Sequence, residues 1–151
     1  MKKIFLLCLI IFIPTACLST CGSPQRPAFE RNLALWQSQD IQHYRFHLEI
    51  GCNCPWRSMM PVSIEVKNGG IVSMVASNSG DITPFLETFR KHGTIDSMFD
   101  LLDGATSTRV YRLEVQYDSS YGFPTNIVID PYKMIADDAT GYYVTDFEVL
   151  P

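Results

Sequence analysis

Tyr44-Arg-Phe-His-Leu-Glu-Ile50 alternates apolar and polar side chains without interruption. Successive side chains of a β-strand point to opposite faces, so this alternation predicts a strand with one buried and one wet face. Residues 62–66 alternate in the same way, and Asn68-Gly69-Gly70 supplies the positive-φ positions of a tight hairpin before a third strand at 71–76. The chain is therefore expected to contain a run of antiparallel strands.

Helical spacing flanks these strands. Residues 28–39 place apolar side chains at i, i+4 and i+7, which predicts an amphipathic helix. Residues 84–92 and 94–104 predict two more helices, the second with Thr94 as its N-cap and Gly104 at its end.

Three more strands are predicted at residues 111–117, 125–130 and 142–149. The predicted elements follow one another as a helix, two or three strands, helices and then three strands. This order implies an antiparallel sheet. We therefore predict an α+β fold with a sheet of about five to six strands and two or three helices on one face. The buried face of the sheet would carry Tyr44, Phe46, Leu48, Ile50, Tyr111, Leu113 and Val115. The opposite face would carry His43, Arg45, His47, Glu49, Arg112, Glu114 and Gln116.

The first 22 residues have the features of an export signal. Lys2 and Lys3 precede an apolar run from Ile4 to Ile13, and Pro14 follows it. This run is about half of the roughly 20 apolar residues that a membrane-spanning helix needs, so we expect the segment to be removed. It resembles the signals of bacterial lipoproteins, in which a cysteine after a small-residue cleavage site carries lipid and becomes the mature N-terminus.

Two cysteines are candidates for lipidation. Cys21 is the first choice, because its lipidation leaves Cys52 and Cys54 as an even pair in an oxidising compartment. Cys17 is the alternative, and an ordinary secretory signal cut near Ala16 is another. The resemblance implies a lipid anchor, with palmitate among its acyl chains, and a location in the cell envelope facing the periplasm or the exterior.

The mature chain is predicted to be a single domain. Residues 1–20 would form the signal, 21–27 a tether and 28–151 the domain, which is large enough to bury a core without disulfides. Removal of Lys2 and Lys3 reduces the 12 basic residues to 10 against 16 acidic ones, a net charge of −6. The basic residues are scattered among acidic ones, which argues against a nucleic-acid partner.

Cys52 and Cys54 follow the first strand. A local disulfide is the first expectation in an oxidising compartment, although it would stabilise the fold by only about 1.5 kcal/mol because the loop is so short. Free thiols, or a metal or redox site with His47 as its histidine partner, remain open alternatives. No cofactor or metal is assigned.

Tyr117-Asp-Ser-Ser-Tyr-Gly-Phe-Pro124 is the most distinctive internal segment. Asp118 can accept hydrogen bonds from backbone N–H groups and Gly122 can take φ > 0, so the segment is predicted to be a turn. The alternative is a ligand-binding loop formed by Tyr117, Asp118, Tyr121, Gly122 and Phe123.

Four segments carry a resemblance to a known family: this turn, the Tyr44 strand, Cys52-Asn-Cys54 and the helix start at Thr94-Ile-Asp96. The chain resembles small bacterial secreted or lipid-anchored proteins that are defined only as a domain of unknown function. The resemblance spans most of the mature chain and implies no established catalytic residues.

The sequence contains no Gly-x-Ser-x-Gly, no His-Glu-x-x-His and no phosphate-binding glycine loop. We therefore expect a binding or structural module rather than an enzyme. It would contact the membrane through its lipid, and an envelope protein or polar ligand through a surface that includes Arg45 and Arg112. The alternative is an enzyme, or a metal or redox site, centred on Cys52 and Cys54.

Overall fold

The structure, a computed structural model, describes residues 23–78, 80–108, 110–135 and 137–151. The predicted signal and both candidate lipidation sites, Cys21 and Cys17, lie outside the described residues. Within the described residues, no helix is long and apolar enough to cross a membrane.

The helices and strands follow one another in a mixed order. They are α1 (Arg26–Ser38), β1 (His43–Gly51), β2 (Val62–Lys67), β3 (Gly70–Ala76), α2 (Leu86–Lys91), α3 (Ile95–Ser107), β4 (Arg112–Tyr117), β5 (Pro124–Asp130) and β6 (Thr140–Val149). Two single-turn 3₁₀ helices, Arg57–Met59 and Thr83–Phe85, lie in the connections.

All six strands form one antiparallel sheet in the order β3-β2-β1-β6-β5-β4. Tyr44 of β1 is opposite Val66 of β2 on one side and Val149 of β6 on the other. The hairpin between β2 and β3 turns at Asn68 and Gly69, whose φ angles of 50° and 74° confirm the predicted positive-φ turn. Because the last strand lies between β1 and β5, β3 and β4 are the two edges of the sheet.

The predicted helices are present with different limits. α1 begins two residues before the predicted start, and the segment predicted as one helix over 84–92 is a 3₁₀ turn followed by the short α2. The predicted cap of α3 is confirmed, because the Thr94 hydroxyl accepts the N–H of Ser97 at 3.0 Å and the Ser97 hydroxyl accepts the N–H of Thr94 at 3.1 Å. Gly104 does not end α3, which continues to Ser107.

The core joins alternate strand residues to the helices. Phe46 of β1 is fully buried. The hydroxyl of Tyr44 accepts the N–H of Ile95 at 3.1 Å, which connects β1 to the start of α3, and burial raises the pKa of that hydroxyl. The indole N–H of Trp36 in α1 donates to Asp96 at 2.9 Å. The two longest helices are therefore tied to each other and to the centre of the sheet.

The predicted fold class needs correction. The α+β prediction, with about five to six strands and two or three helices on one face, is replaced by a six-stranded antiparallel sheet with three short helices. Strands take about 36% of the structure and helices about 30%. Both halves of the chain enter one sheet because β6 returns to pair with β1. Local periodicity locates elements but does not report such long-range pairing, so the sequence misjudged the architecture.

The buried face also extends less far along β4 than predicted. Tyr111 precedes β4 and is 52% exposed, and Leu113 and Val115 are only half-buried. β4 is an edge strand, so a neighbouring strand covers it on one side only.

Candidate functional site

The surface of the sheet that is turned away from the core is the candidate site, and we call it the outer face. Four residues lie opposite one another in adjacent strands, so their side chains point to the same side: Glu49 of β1, Tyr143 of β6, Asn126 of β5 and Gln116 of β4. Arg112 lies four residues before Gln116 on β4 and therefore also belongs to the outer face.

Arg45 and His43 of β1 have charged partners on this face. The guanidinium Nη2 of Arg45 is 2.6 Å from Oε2 of Glu148. The imidazole Nε2 of His43 is 2.8 Å from Oε1 of Glu65, and its Nδ1 is 2.8 Å from the carbonyl oxygen of Pro151. Exposed ion pairs contribute little to stability, but these contacts hold the side chains in defined positions.

A β-bulge in β6 adds a third pair. Asp146 and Phe147 together lie opposite the single residue Phe46 of β1, and Asp146 takes a φ of 51°. The bulge places the Asp146 carboxylate 2.9 Å from Nδ1 of His47, while Phe147 packs against the core. The extra residue therefore directs the Asp146 side chain to the outer face and the Phe147 side chain to the core.

Arg45 and Arg112, both predicted to contribute to binding, lie on the same face but not in one cluster. Their strands are three spacings apart in the sheet, which is about 14 Å. Arg112 pairs with Glu114 on its own strand, with Nε 3.3 Å from Oε1. The two arginines can therefore contact one large partner but not the same small group.

A polar groove lies at the end of the outer face where β1 finishes, with a volume of about 500 Å³. Its polar and charged lining residues are Glu49, Asn53, Arg57, Asp137 and Tyr143. Among the ion pairs of the described residues, none includes Glu49, Arg57 or Asp137. The groove therefore offers charges of both signs that the fold itself does not pair.

Two glycines make room for Tyr143, which lines this groove. Gly51 of β1 and Gly141 of β6 are opposite each other, and the ring of Tyr143 lies against both. A Cβ on Gly141 would be 2.6 Å from the Tyr143 hydroxyl oxygen, and one on Gly51 would be 3.1 Å from its Cε2. The absence of side chains at these positions lets the tyrosine ring lie along the sheet, with its edge available to the groove.

Cys52 lines the groove, and the structure joins it to Cys54 with Cα atoms 5.2 Å apart. This separation lies within the range that a disulfide requires, so the geometry favours the disulfide among the predicted states of the pair. His47 is directed to Asp146 rather than to the cysteines. In the described part of the chain, no group of three or more His, Cys, Asp or Glu side chains could hold a metal ion.

The distinctive turn between β4 and β5 is built as predicted. Oδ1 of Asp118 accepts the N–H of Ser120 at 2.8 Å and of Tyr121 at 2.7 Å. Gly122 takes a φ of 83° and approaches α1 so closely that a Cβ would be 2.7 Å from the carbonyl oxygen of Asn32. The Gly122 end of the turn is therefore packed on α1, while Ser119 and Ser120 are exposed.

The aromatic residues of the turn belong to a cluster that joins the turn to the core. Phe123 is 3% exposed, and its ring centroid is 4.4 Å from that of Phe147 and 6.2 Å from that of Trp36. Tyr121 is half-buried against Phe147, with ring centroids 5.3 Å apart. Burial raises the pKa of Tyr117 to about 12. These contacts give the turn a packing role and leave little of Phe123 for a ligand.

Arg57, Asp137 and Tyr143 were missed by the sequence analysis. They are separated by up to 86 positions. Arg57 lies in the connection after β1, and the pairing of β1 with β6 brings Tyr143 beside Glu49. A local signal did exist, since Gly141 directly precedes the predicted start of the last strand. A glycine within a strand often marks a place where another group approaches the backbone closely.

A family model described as "Family of unknown function (DUF6174)" matches residues 28–149. The chain belongs to this family. The DUF6174 match confirms the predicted resemblance at the level of a domain of unknown function and covers every helix and strand except the first two residues of α1. No curated protein and no solved structure was found to match.

Proposed function

We propose that this protein is a lipid-anchored component of the bacterial cell envelope that binds a polar partner through its outer face. The proposal has two parts, the anchor and the binding surface. The first rests on the sequence of residues 1–22, and the second rests on the geometry of the sheet.

The anchor is proposed at Cys21, with Cys17 as the alternative. The support is the basic start, the short apolar run and the cysteine that follows it. We expect the Cys21→Ser protein to accumulate as an unprocessed precursor or to lack lipid, and the Cys17→Ser protein to be processed normally. Mass spectrometry of the membrane fraction measures both. If the Cys21→Ser protein is lipidated normally and the Cys17→Ser protein is not, the anchor is at Cys17.

The polar groove carries the second part of the proposal. Glu49 and Arg57 offer opposite charges beside the ring of Tyr143, and the fold pairs neither charge among the described residues. Arginine and tyrosine are among the residue types that most often supply binding energy at protein interfaces. The paired side chains of β1 extend this surface in fixed positions, which lowers the conformational cost of association.

The partner that fits best is an envelope protein with mixed charges on its surface. Charges of both signs on the outer face select a partner by electrostatic complementarity, and a like charge placed opposite one of them is costly. The separation of Arg45 and Arg112 across three strand spacings favours a partner that covers the sheet.

Recovery of cross-linked partners with the full lipidated chain tests this surface. Reversing the charge in Arg45→Glu and Arg112→Glu should reduce recovery about tenfold or more, since about 1.4 kcal/mol of lost affinity is tenfold. Arg90→Glu is the matched control, because Arg90 is also a half-exposed, ion-paired arginine but lies on α2. Unchanged recovery with both outer-face variants, and loss of recovery with Tyr121→Ala, would instead place recognition at the turn.

A redox role for Cys52 and Cys54 is the second candidate function. The observation that favours it is that Cys52 lines the same groove as Glu49 and Arg57. Counting thiols in native and denatured protein, with metal analysis of protein purified without chelator, separates the states of the pair. Two reactive thiols in the native protein, or a stoichiometric metal, would favour the redox or metal site over the binding module.

A further inference from the structure

Four large side chains form an exposed apolar patch at one corner of the molecule. Tyr111, Tyr132, Met134 and Ile135 are 52%, 62%, 91% and 54% exposed, and all four line one shallow depression. We call these four residues the apolar patch. Scattered apolar residues on a surface are ordinary, but a contiguous group that contains two tyrosines marks a contact with a partner or a membrane.

The apolar patch lies at the edge of the sheet formed by β4. The N–H of Tyr111 donates to the carbonyl oxygen of Pro131 at 3.3 Å, which holds the loop after β5 beside the start of β4. Tyr111 also lines a neighbouring groove together with Ser23, the first described residue. The side-chain amide of Gln25 contacts the carbonyl oxygen of Leu113 at 3.5 Å. The N-terminal end of the described chain is therefore beside the apolar patch.

The proposed lipid attachment site is close to this corner. Cys21 precedes Ser23 by two residues, and two residues span at most about 7 Å. Ser23 is held by the first turn of α1, because its carbonyl oxygen accepts the N–H of Arg26 at 2.9 Å. A lipid on Cys21 would therefore keep Ser23, and with it this corner of the domain, close to the membrane surface.

We propose that the apolar patch lies in the interfacial layer of the membrane that holds the lipid anchor. This inference rests on the proposed anchor and adds the orientation of the domain. Tyrosine is enriched at the membrane interface, where its ring is buried and its hydroxyl stays wet. Lys133, whose Nζ is 5.8 Å from the centroid of the Tyr111 ring, can extend its ammonium group to lipid phosphates while its methylenes stay among the apolar side chains.

The proposed orientation has a consequence for the rest of the molecule. With the β4 edge at the membrane, the β3 edge points away from it, five strand spacings or about 24 Å further out. The sheet then stands upright on the membrane, and its outer face is open to a partner from the side.

An environment-sensitive fluorophore on an introduced cysteine tests the orientation. The full lipidated chain carries the label at Met134→Cys or at the control Val75→Cys, and is placed in vesicles of phosphatidylethanolamine and phosphatidylglycerol. Val75 is matched to the site because it is also an exposed apolar residue, 58% accessible, but lies on the β3 edge. Parent protein treated with the same maleimide measures labelling of the native cysteines. Nitroxide-labelled lipids should quench the label at position 134 several-fold more strongly than the label at position 75.

Vesicle flotation separates failure of the orientation from failure of the anchor. Protein that floats with the vesicles but shows equal quenching at both positions has the anchor without the proposed orientation, which overturns the inference. A blue-shifted label at position 134 that lipid nitroxides do not quench would place the apolar patch against protein, such as a second copy of this chain, and also overturns it. Parent protein that does not float refutes the anchor, and the orientation is refuted with it.

Discussion

Lowering the pH from 7 to 5 should destabilise this domain through one buried histidine, His92. It follows Lys91 at the end of α2 and is 9% exposed, with its ring centroid 4.8 Å from that of Tyr142. Among the described residues, its Nδ1 has no hydrogen-bond partner. Burial, with a smaller contribution from the charge of Lys91, lowers the pKa of His92 from 6.5 to about 4.

The sign of the effect follows from proton binding. Between pH 6.5 and pH 4 the unfolded chain binds a proton at His92 that the folded protein does not bind. The stability that His92 contributes is therefore complete above pH 6.5 and decreases as the pH falls through this window. With these two pKa values the free energy of unfolding should fall by about 2 kcal/mol between pH 7 and pH 5, and by about 3 kcal/mol below pH 4.

Urea denaturation at pH 7 and pH 5 measures this change. His92→Phe keeps a ring against Tyr142 and removes the titrating group, so most of the 2 kcal/mol difference should disappear in this variant. Thr94→Ala is the control, because it lowers the stability without removing a titrating group and should leave the difference in place. A parent protein with equal stability at both pH values, or a His92→Phe protein with the same pH dependence as the parent, would refute the reasoning.

Three further predictions concern stability and are measured by the same denaturation. Gly122→Ala should lower the free energy of unfolding by more than about 2 kcal/mol, because Gly122 has a positive φ and the new Cβ would clash with the main chain of α1. Gly104→Ala is the comparison within α3: its Cβ meets no atom within 4 Å, so it should raise the free energy of unfolding by about 0.5–1 kcal/mol. If the two substitutions changed the free energy of unfolding in the same direction, the close packing of the turn on α1 would be refuted. Thr94→Ala removes the cap of α3 and should cost about 1 kcal/mol, and no measurable loss would contradict the capping box. Replacing Cys52 and Cys54 by Ser should leave a folded domain that is about 1.5 kcal/mol less stable, and complete unfolding would show that the pair is more important than its short loop implies.

The amino-acid sequence by itself determined the features that depend on neighbours along the chain. The alternation over residues 44–50 predicted β1 and its buried side, and Asn68-Gly69 predicted the hairpin. Thr94 predicted the start of α3, and Asp118 with Gly122 predicted the turn. In each case a side chain or a glycine acts on backbone groups only a few residues away, so the physical cause is contained in the segment itself.

Only the tertiary structure decided the features that depend on strand order. The place of β6 between β1 and β5 joins the whole chain into one sheet, which corrects the predicted fold class and brings Glu49, Arg57 and Tyr143 into one groove. The same order makes β4 an edge, so Tyr111 is exposed in the apolar patch although the alternation predicted it to be buried. Periodicity records which side of a strand is apolar, but the neighbours that cover that side come from distant parts of the chain and are selected by packing of the whole core.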